Sequence, residues 1–383
     1  MSGLRIAFFG SSLVSAYWNG AATYYRGLIR ALANRGHRVT FYEPDVYDRQ
    51  KNRDIDDPPW AKVVVYPGRA ADALRALESA SDADLLIKTS GVGAFDELLE
   101  TAVLDVRSRH TTTIFWDVDA PATLDRVMKN QKDPFRSLIP RYDLILTYGG
   151  GPPVVNAYLE LGARCCQPIY NALDPETHFP ISPDPRFACD LCLAANRLPD
   201  REQRIAEFFL NAAERAPEMK FILGGNGWGD KVLPGNVKWI GHLFTRDHNA
   251  FNCSARAVLN VNRESMARYG FSPPTRIFEA AGAAACVISD AWNGIELFLE
   301  PGREVVTAHS GAEVADALRS LMPSRAREIG NAAYRRVLAE HTYEHRVAQL
   351  ERLLGANEAV TPDAGSSNHN LRQHLNPRQV NYA

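Results

Sequence analysis

Short apolar runs alternate with longer amphipathic stretches along the first half of the chain. The runs are predicted to be buried β-strands, and the stretches between them carry apolar residues at helical spacing. The predicted strands are 5–9, 37–42, 62–66, 84–88, 112–115 and 144–147, and the predicted helices are 21–34, 70–79 and 95–106. Strands that alternate with helices in this way are typical of a parallel, doubly wound sheet.

The same alternation resumes after a proline-rich break at 171–185. In the second half, strands are predicted at 190–194, 220–223, 237–240, 257–260 and 286–288, with helices at 202–215, 313–321 and 324–354. The pattern therefore predicts an α/β protein of two Rossmann-like, doubly wound domains, 1–170 and 171–354, that face each other across a cleft. The polar, aperiodic residues 355–383 are predicted to be a flexible tail.

Composition narrows the classes of protein that remain. A chain of 383 residues, 45% of them hydrophobic, is long enough for two soluble domains. The formal net charge of −2 gives no general nucleic-acid-binding surface. No apolar run approaches the roughly 18–20 residues of a membrane span, so no integral membrane segment is expected. The first residues predict a buried strand and not a signal peptide.

The cysteines and histidines give no framework for disulfides or metals. Cys189 and Cys192 have redox or zinc spacing, but no second pair accompanies them. Free cysteines are among the most buried residues, so buried thiols and a reducing, cytoplasmic setting are expected. His110, His242 and His309 lack ligand spacing, and no metal is predicted.

Candidate chemistry is concentrated in a Gly/Pro-rich loop that runs directly into a small-residue helix. Pro274 and Thr275 precede Arg276, and Glu279 follows one helical turn later. A helix N-terminus stabilises a phosphate, and an arginine can bind it with two hydrogen bonds. The Glu279 carboxylate suits the hydroxyl pair of a ribose. The alternative is a surface ion pair between Arg276 and Glu279.

Several segments together resemble one family. They are Asn19-Gly20, Gly36 to Val39, Phe115 to Leu124, Asn171 to Pro180, Asn196 to Arg201, Asn236 to Gly241, Pro274 to Ala280, Pro301 to Val306 and His341 to Arg346. The chain resembles the GT-B glycosyltransferases and is similar to glycosyltransferase family 4, nearest the CgeB-like (spore maturation protein) transferases. The resemblance covers most of 5–353. It implies a GT-B fold and a nucleotide-sugar donor bound by the second domain.

One position departs from the family. Family 4 enzymes often carry two glutamates eight positions apart in the site loop; the second corresponds to Glu279, and Phe271 stands where the first would be. A carboxylate beside the donor sugar is therefore absent, or is replaced by backbone or by Glu264. This departure weakens the transfer of the family's sugar contacts and of its retaining stereochemistry to this chain.

The donor site is expected to work without a metal. Negative charge grows on the leaving diphosphate as the sugar bond breaks, and fixed arginines and helix N-termini can stabilise it. Arg201 and Arg276 are the predicted catalytic arginines. The other predicted donor contacts are Gly20, Arg197, Gly225, Asn226, Gly227, His242, Pro274, Thr275 and Glu279. For Arg201 the alternative is a solvated arginine on a helix surface.

The first domain is expected to hold the acceptor. Asp117 and Asp119 follow a predicted strand, and Asp117 is the candidate general base toward an acceptor hydroxyl. Asp119, Asn19 and Trp116 are further acceptor-side candidates, although Asp119 can instead cap the helix that follows. Trp18, Trp116 and Trp292 either face the cleft or pack in the core.

The sequence thus predicts a hexosyl- or deoxyhexosyltransferase. The expected partners are a nucleotide-sugar co-substrate and a small-molecule, glycan or protein acceptor, with no other cofactor. Another nucleotide-sugar enzyme, such as an epimerase, and a catalytically silent nucleotide-sugar-binding protein remain alternatives.

Overall fold

The first half of the chain forms one parallel sheet covered by helices on both faces. The computed structural model describes residues 3–17 and 19–358, with backbone only for 356–358. Seven strands lie in the order β3-β2-β1-β4-β5-β6-β7. The elements are β1 (Arg5–Phe9), α1 (Ala22–Asn34), β2 (Arg38–Asp45), β3 (Lys62–Pro67), α2 (Ala70–Glu78), β4 (Leu85–Thr89), α3 (Asp96–Val106), β5 (Thr112–Asp117), α4 (Ala120–Lys129), β6 (Leu144–Thr147), α5 (Gly151–Glu160) and β7 (Cys166–Pro168).

The second half repeats this architecture with six strands in the order β10-β9-β8-β11-β12-β13. A short π-helix, Ala206–Leu210, joins α6 to α7. The elements are β8 (Cys189–Ala194), α6 (Pro199–Ile205), α7 (Asn211–Arg215), β9 (Phe221–Gly224), β10 (Val237–Trp239), α8 (His248–Ser254), β11 (Ala255–Asn260), α9 (Glu264–Tyr269), α10 (Thr275–Gly282), β12 (Val287–Asp290), β13 (Val306–Ala308), α11 (Gly311–Ser320), α12 (Pro323–Glu340) and α13 (Tyr343–Glu358).

Each sheet separates two apolar cores. Successive residues of a strand point to opposite faces, and in β1 the side chains of Ile6 and Phe8 enter one core while those of Ala7 and Phe9 enter the other. Burial on both faces explains why the strands read as continuous apolar runs. The predicted pair of doubly wound α/β domains is therefore present.

Two segments cross between the domains side by side. The linker after β7 and the junction of α12 with α13 are joined by two backbone hydrogen bonds, Leu173 N–H to His341 O at 2.7 Å and Tyr343 N–H to Leu173 O at 3.1 Å. Beyond this crossing, Val347 and Leu350 of α13 are buried in the core of the first domain. The predicted single helix 324–354 of the second domain is thus corrected to two helices, of which the second returns to the first domain.

The predicted tail needs a similar correction at its start, because α13 extends through Glu358 and residues 355–358 are helical. Residues 359–383 lie outside the described part of the chain. No helix among the described residues is long and apolar enough to span a bilayer.

Candidate functional site

The candidate site lies where the strand order of the second sheet reverses, between β8 and β11. Ligands of doubly wound sheets bind at such a switch point, beyond the carboxyl ends of the strands. The chain that leaves β8 carries Arg201 in the first turn of α6, and the chain that leaves β11 carries Arg263. The topology therefore brings cationic side chains from distant segments to one edge.

Arg201 is a half-buried cation that forms no ion pair within the described residues. Its Nε atom is buried and has no hydrogen-bond partner, and no carboxylate in the described part of the chain forms an ion pair with it. Burial, together with the positive charges of Arg276 and Arg263, lowers the pKa of Arg201 to about 10. Three guanidinium groups close together repel one another unless an anion compensates their charge. Their arrangement therefore suits an anionic ligand.

Arg276 lies in the first turn of α10, two residues after the N-cap residue Pro274. Proline has no side-chain oxygen to cap the helix, and α10 has no side-chain cap. The first N–H groups of α10 are therefore available to a ligand, beside a guanidinium that forms no ion pair within the described residues. The charge of Arg276 acts on Arg201, so the two guanidinium groups lie near each other; their catalytic roles stay predictions.

Arg197, by contrast, already has anionic partners. Its guanidinium pairs with Glu202 at 2.8 Å and with Asp230 at 2.8 Å. These two carboxylates raise the pKa of Arg197, while Arg197, together with Lys231, lowers the pKa of Glu202 to about 2. The Glu202 and Asp230 carboxylates engage Nε and Nη1 of Arg197 in this conformation, and a donor contact by Arg197 stays a prediction.

The glycine loop after β9 also uses its backbone internally. The N–H of Gly225 donates to Gly241 O at 2.6 Å, and that of Asn226 donates to Asn196 Oδ1 at 2.9 Å. Gly225 has a φ of +122°, and a Cβ there would lie 2.2 Å from Ala195 O. The loop thus needs glycine for close packing, and the predicted phosphate cradle is corrected for the first two N–H groups.

Two other predicted donor residues meet at this loop. Asn226 Nδ2 lies 3.4 Å from Nδ1 of the exposed His242. The backbone of Gly227, with a φ of +86°, passes beside Arg197. A role for Asn226, Gly227 and His242 in donor binding stays a prediction.

Glu279 is buried on α10 beside two histidines that the sequence analysis did not connect with it. Burial favours its protonated form, but the nearby His178, Arg276 and His248, with a hydrogen bond from Thr275, hold the pKa of Glu279 below its usual value. His178 comes from the interdomain linker and His248 from the start of α8. The surface ion pair considered for Arg276 and Glu279 is not formed, and a ribose contact stays a prediction.

Phe271 holds the site loop in an uncommon backbone conformation. Its φ is +47°, and its N–H donates to Asn293 O at 2.6 Å while its carbonyl accepts the N–H of Gly150 at 2.9 Å. A Cβ on Gly294 would lie 2.3 Å from the Phe271 ring. Phe271 therefore braces the loop against both domains. Glu264 does not replace the missing carboxylate there, because it is exposed and pairs with Arg204 at 3.3 Å.

In the first domain, Asp117 is fully buried at the end of β5. Its carboxylate accepts hydrogen bonds from the hydroxyls of Ser90, Thr123 and Tyr158 and from the Asp119 N–H. Burial raises the pKa of Asp117 despite these donors. The predicted general base is therefore corrected to a side chain that organises its loop, because neither oxygen faces solvent.

Two acceptor-side predictions fail for the same reason. Trp116 is fully buried, and its Nε1–H donates to Tyr24 Oη at 3.0 Å. Asn19 braces its own loop, accepting from Ser11 Oγ at 2.9 Å and donating to Ser12 O at 2.8 Å. Trp292 also lies in a core. Trp18 is outside the described residues.

Gly20, next to Asn19, is exposed, and no atom lies within 4 Å of an added Cβ. A donor contact by Gly20 stays a prediction. Asp119 occupies the N-cap position of α4, but its side chain makes no capping hydrogen bond, so the capping alternative is wrong.

The Asp119 carboxylate instead contacts the second domain. It pairs with Arg263 Nη1 at 3.2 Å, and Arg263 also pairs with Asp200, next to Arg201. A second ion pair across the cleft joins Asp125 to Arg268 at 2.9 Å. Arg263 gave no motif signal in the sequence; only its place one strand away from Arg201 in a doubly wound order could have identified it.

Comparisons with known proteins identify the fold. Residues 201–352 match the family model described as "Glycosyl transferase-like". Among curated proteins, none matches this sequence. The chain is similar in structure to sucrose-phosphate synthase from Thermosynechococcus elongatus, with a TM-score of 0.69 and 15% identity over 94% of this chain and 100% of that one.

Two further solved structures share the architecture. One is HepE of Anabaena in complex with UDP and glucose, with a TM-score of 0.63 and 14% identity over 92% of this chain and 100% of that chain. The other is an alpha-glucosyltransferase in complex with UDP-glucose and DNA containing an abasic site, with a TM-score of 0.69 and 10% identity over 92% and 100%. Two Rossmann-like domains facing a cleft define the class, and the chain has the GT-B fold, which confirms the predicted fold class.

Proposed function

We propose that the protein transfers a sugar from a nucleotide-sugar donor to an acceptor hydroxyl. The observation that carries the proposal is the pair Arg201 and Arg276, which lies at the carboxyl edge of the second sheet without a carboxylate partner in the described part of the chain. The match of 201–352 to a glycosyl transferase-like family and the GT-B fold support it.

The two arginines would bind the diphosphate of the donor. Charge on the leaving diphosphate grows toward the transition state, so fixed guanidinium groups there accelerate transfer as well as binding. Both cations are already in place before a ligand binds, which limits the reorganisation needed during the reaction. The Glu279 carboxylate, one turn after Arg276, would accept hydrogen bonds from the ribose.

The donor is proposed to be a nucleoside diphosphate hexose or deoxyhexose, with uridine donors tested first because the HepE and alpha-glucosyltransferase structures hold UDP or UDP-glucose. The acceptor is proposed to enter from the first domain. Since Asp117 is buried, the proton of the acceptor hydroxyl is not assigned to it; the Asp119 carboxylate reaches across the cleft and is paired with Arg263.

No metal is assigned to the diphosphate, because the arginines supply the charge. Adding Mg²⁺ or Mn²⁺ to chelator-treated protein should change turnover by less than about twofold, whereas a metal that neutralised the diphosphate would change it by orders of magnitude. A strict requirement for either ion would contradict this part of the proposal.

The experiment is a donor screen with a chemical readout. The protein is incubated with UDP-, GDP-, ADP- and dTDP-sugars and a panel of glycosides, and both nucleoside diphosphate release and acceptor mass are measured. Transfer adds one sugar residue to the acceptor. A change of donor sugar without transfer would indicate an epimerase. The variant Arg303→Gln, which alters an exposed arginine remote from the site, is the control.

A second candidate is a catalytically silent nucleotide-sugar-binding protein. Phe271 favours it, because its ring and strained backbone occupy the position that carries a glutamate in the related family. Tight binding of a nucleotide sugar with neither transfer nor hydrolysis would support this candidate. Replacing Phe271 with Glu would then test whether the missing carboxylate accounts for the silence.

A further inference from the structure

Three metal-ligating side chains converge at the linker between the domains. His178 belongs to the linker, His248 begins α8 and Glu279 lies on α10, and their ligand atoms all lie within 4.8 Å of one another. His178 and Glu279 are buried and His248 is half-buried. The cluster is therefore shielded from bulk water and built from three separate segments.

We propose that His178, His248 and Glu279 bind a divalent transition-metal ion such as Zn²⁺. Two imidazole nitrogens and one carboxylate are the ligand types that zinc takes in sites with three protein ligands, where water fills the fourth position. The ion would take one carboxylate oxygen of Glu279 and leave the other for the ribose proposed above. The metal proposal concerns a site of this chain and does not rest on the proposed sugar transfer.

Hydrogen bonds around the cluster prepare His178 for coordination. The Thr177 hydroxyl donates to Asp174 O at 3.2 Å, and its oxygen lies 3.0 Å from His178 Nδ1. With its proton directed to Asp174, the hydroxyl accepts from Nδ1–H, which leaves the lone pair on Nε2. Metal-binding histidines characteristically have such an outer partner on the second nitrogen.

The two histidines are also held together. Asn249, adjacent to His248, donates from Nδ2 to Thr177 O at 3.0 Å, which ties α8 to the linker next to His178. On α10, Gly282 lies one turn after Glu279, and a Cβ there would lie 3.0 Å from His178 O. The absence of a side chain at Gly282 thus lets the linker approach the helix that carries the glutamate.

The charges around the cluster determine which ions it can hold. The cluster offers two imidazole nitrogens, from His178 and His248, and one carboxylate, from Glu279. Arg276 is the nearby charge that opposes a cation. Mg²⁺ and Ca²⁺ prefer oxygen ligands and gain little from imidazole, so they should not overcome Arg276, whereas Zn²⁺ and Co²⁺ form strong bonds with imidazole.

An ion at this position would join the linker to two helices of the second domain. The linker is itself fixed to α1 of the first domain through Asp174, which pairs with Arg30 at 2.9 Å. The metal is thus expected to stabilise the interdomain crossing, and it is separate from the charge that the arginines would supply to a diphosphate.

The test is a titration of metal-free, full-length protein with Co²⁺ and Zn²⁺ in the absence of nucleotide. Visible absorption of bound Co²⁺ reports coordination and calorimetry with Zn²⁺ gives the affinity; the thermal midpoint should rise with bound metal. The wild-type protein should take up one equivalent without the charge-transfer bands of thiolate ligation, which separates this site from the cysteines. Mg²⁺ should give no heat and no shift.

The variants His178→Gln, His248→Gln and Glu279→Gln should each lose the Co²⁺ spectrum while keeping a native circular dichroism spectrum. Thr177→Val should weaken affinity about 10- to 100-fold without abolishing uptake. His309→Ala, at an exposed histidine remote from the cluster, is the matched control and should bind like the wild-type protein. Absence of uptake by the wild-type protein, or full uptake by His178→Gln, would overturn the proposal.

Discussion

Both domains turn the carboxyl edge of a parallel sheet toward the cleft, but the polar side chains at the two edges differ in whether they have partners within the protein. In the first domain, Asp117 and Asn19 are buried and hydrogen-bonded to their own loops. In the second domain, the half-buried Arg201 has a buried Nε without any such partner among the described residues, beside Arg276. At the edge of the first domain the polar side chains are hydrogen-bonded within the protein, whereas at the edge of the second domain positive charge is left uncompensated.

The difference indicates how two domains of the same architecture can serve different roles, one structural and one in binding. A buried polar group costs free energy unless it is paired. The loops of the first domain pair their polar side chains internally, while the arginines of the second domain are proposed to form a preorganised anion site. The predictions below test that contrast, from the largest expected effect to the smallest.

Replacing the unpaired arginines should have the largest effect. Arg201→Gln and Arg276→Gln should each lower kcat/KM for sugar transfer about 10²- to 10³-fold, the usual cost of losing one preorganised charge-stabilising group. Arg197→Gln should cost less than about tenfold, because that guanidinium is already neutralised by Glu202 and Asp230. Steady-state kinetics with the best donor is the measurement.

The free energy of unfolding of Arg201→Gln should increase although its transfer activity falls. Because Arg201 is half-buried near the two like charges of Arg276 and Arg263, Arg201→Gln should raise the free energy of unfolding of the ligand-free protein by about 1 kcal/mol. Urea denaturation measures this. A loss of stability together with unchanged kinetics would show that Arg201 is structural and would remove the contrast between the two edges.

Asp117 should behave as a structural residue. Asp117→Ala leaves three hydroxyls and one N–H without their acceptor, so the free energy of unfolding should fall by about 2–4 kcal/mol. Asp117→Asn retains one acceptor oxygen and should keep transfer within about tenfold across pH 6–9. Kinetics and urea denaturation of both variants are compared. A stable Asp117→Asn protein without activity would restore the general-base hypothesis.

The ion pair between Asp119 and Arg263 across the cleft should contribute less to the free energy of unfolding than the hydrogen bonds of Asp117. A double-mutant cycle on Asp119→Asn and Arg263→Gln should give a coupling of about 0.5–1 kcal/mol in the free energy of unfolding, because both side chains are partly exposed. Loss of the bridge should also favour an open arrangement of the domains, measured as a larger radius of gyration by X-ray scattering. The pair Asp125 and Arg268 provides a second cycle for comparison.

The smallest effect concerns pH and the attachment of α13 to the first domain. The Arg35 guanidinium, with His37, holds the pKa of Glu351 below its usual value. A depressed carboxyl pKa stabilises the fold above the unfolded value of about 4.3 and stops doing so as pH falls through the folded pKa. The wild-type protein should therefore exceed Glu351→Gln in stability by less than about 1 kcal/mol at pH 7, and this difference should vanish in acid. An unchanged difference at pH 3 would contradict the assignment.

Much of the fold could be predicted because its signal is local. The strands predicted at 5–9 and 144–147 coincide with β1 and β6, and most of the other strands differ by a few residues at their ends. The short edge strands β7 and β13 were not predicted, because three residues with few apolar side chains give no periodic signal. The path of α13 was also missed, since a helical pattern does not show which core its apolar face enters.

The candidate site was likewise predicted where its sequence signal is local and missed where it depends on distant residues. Helix starts and glycine loops, which depend on neighbouring residues, led to Arg201, Arg276 and Glu279. Partners did not follow from sequence: Arg197 was predicted to bind the donor, yet it is paired with Asp230, and Asp117 was predicted to face an acceptor, yet it is enclosed by Ser90 and Tyr158.

The sequence by itself determined two α/β domains and the residue types at the carboxyl ends of their strands, because hydrophobic periodicity and helix-start signals act over a few residues. Only the tertiary structure decided which of those side chains are paired and which are free. It also brought His178 and His248 together beside Glu279, although no spacing in the sequence connects them. The physical reason is that charge pairing and ligand geometry depend on distances in space, and these arise from the packing of segments far apart along the chain.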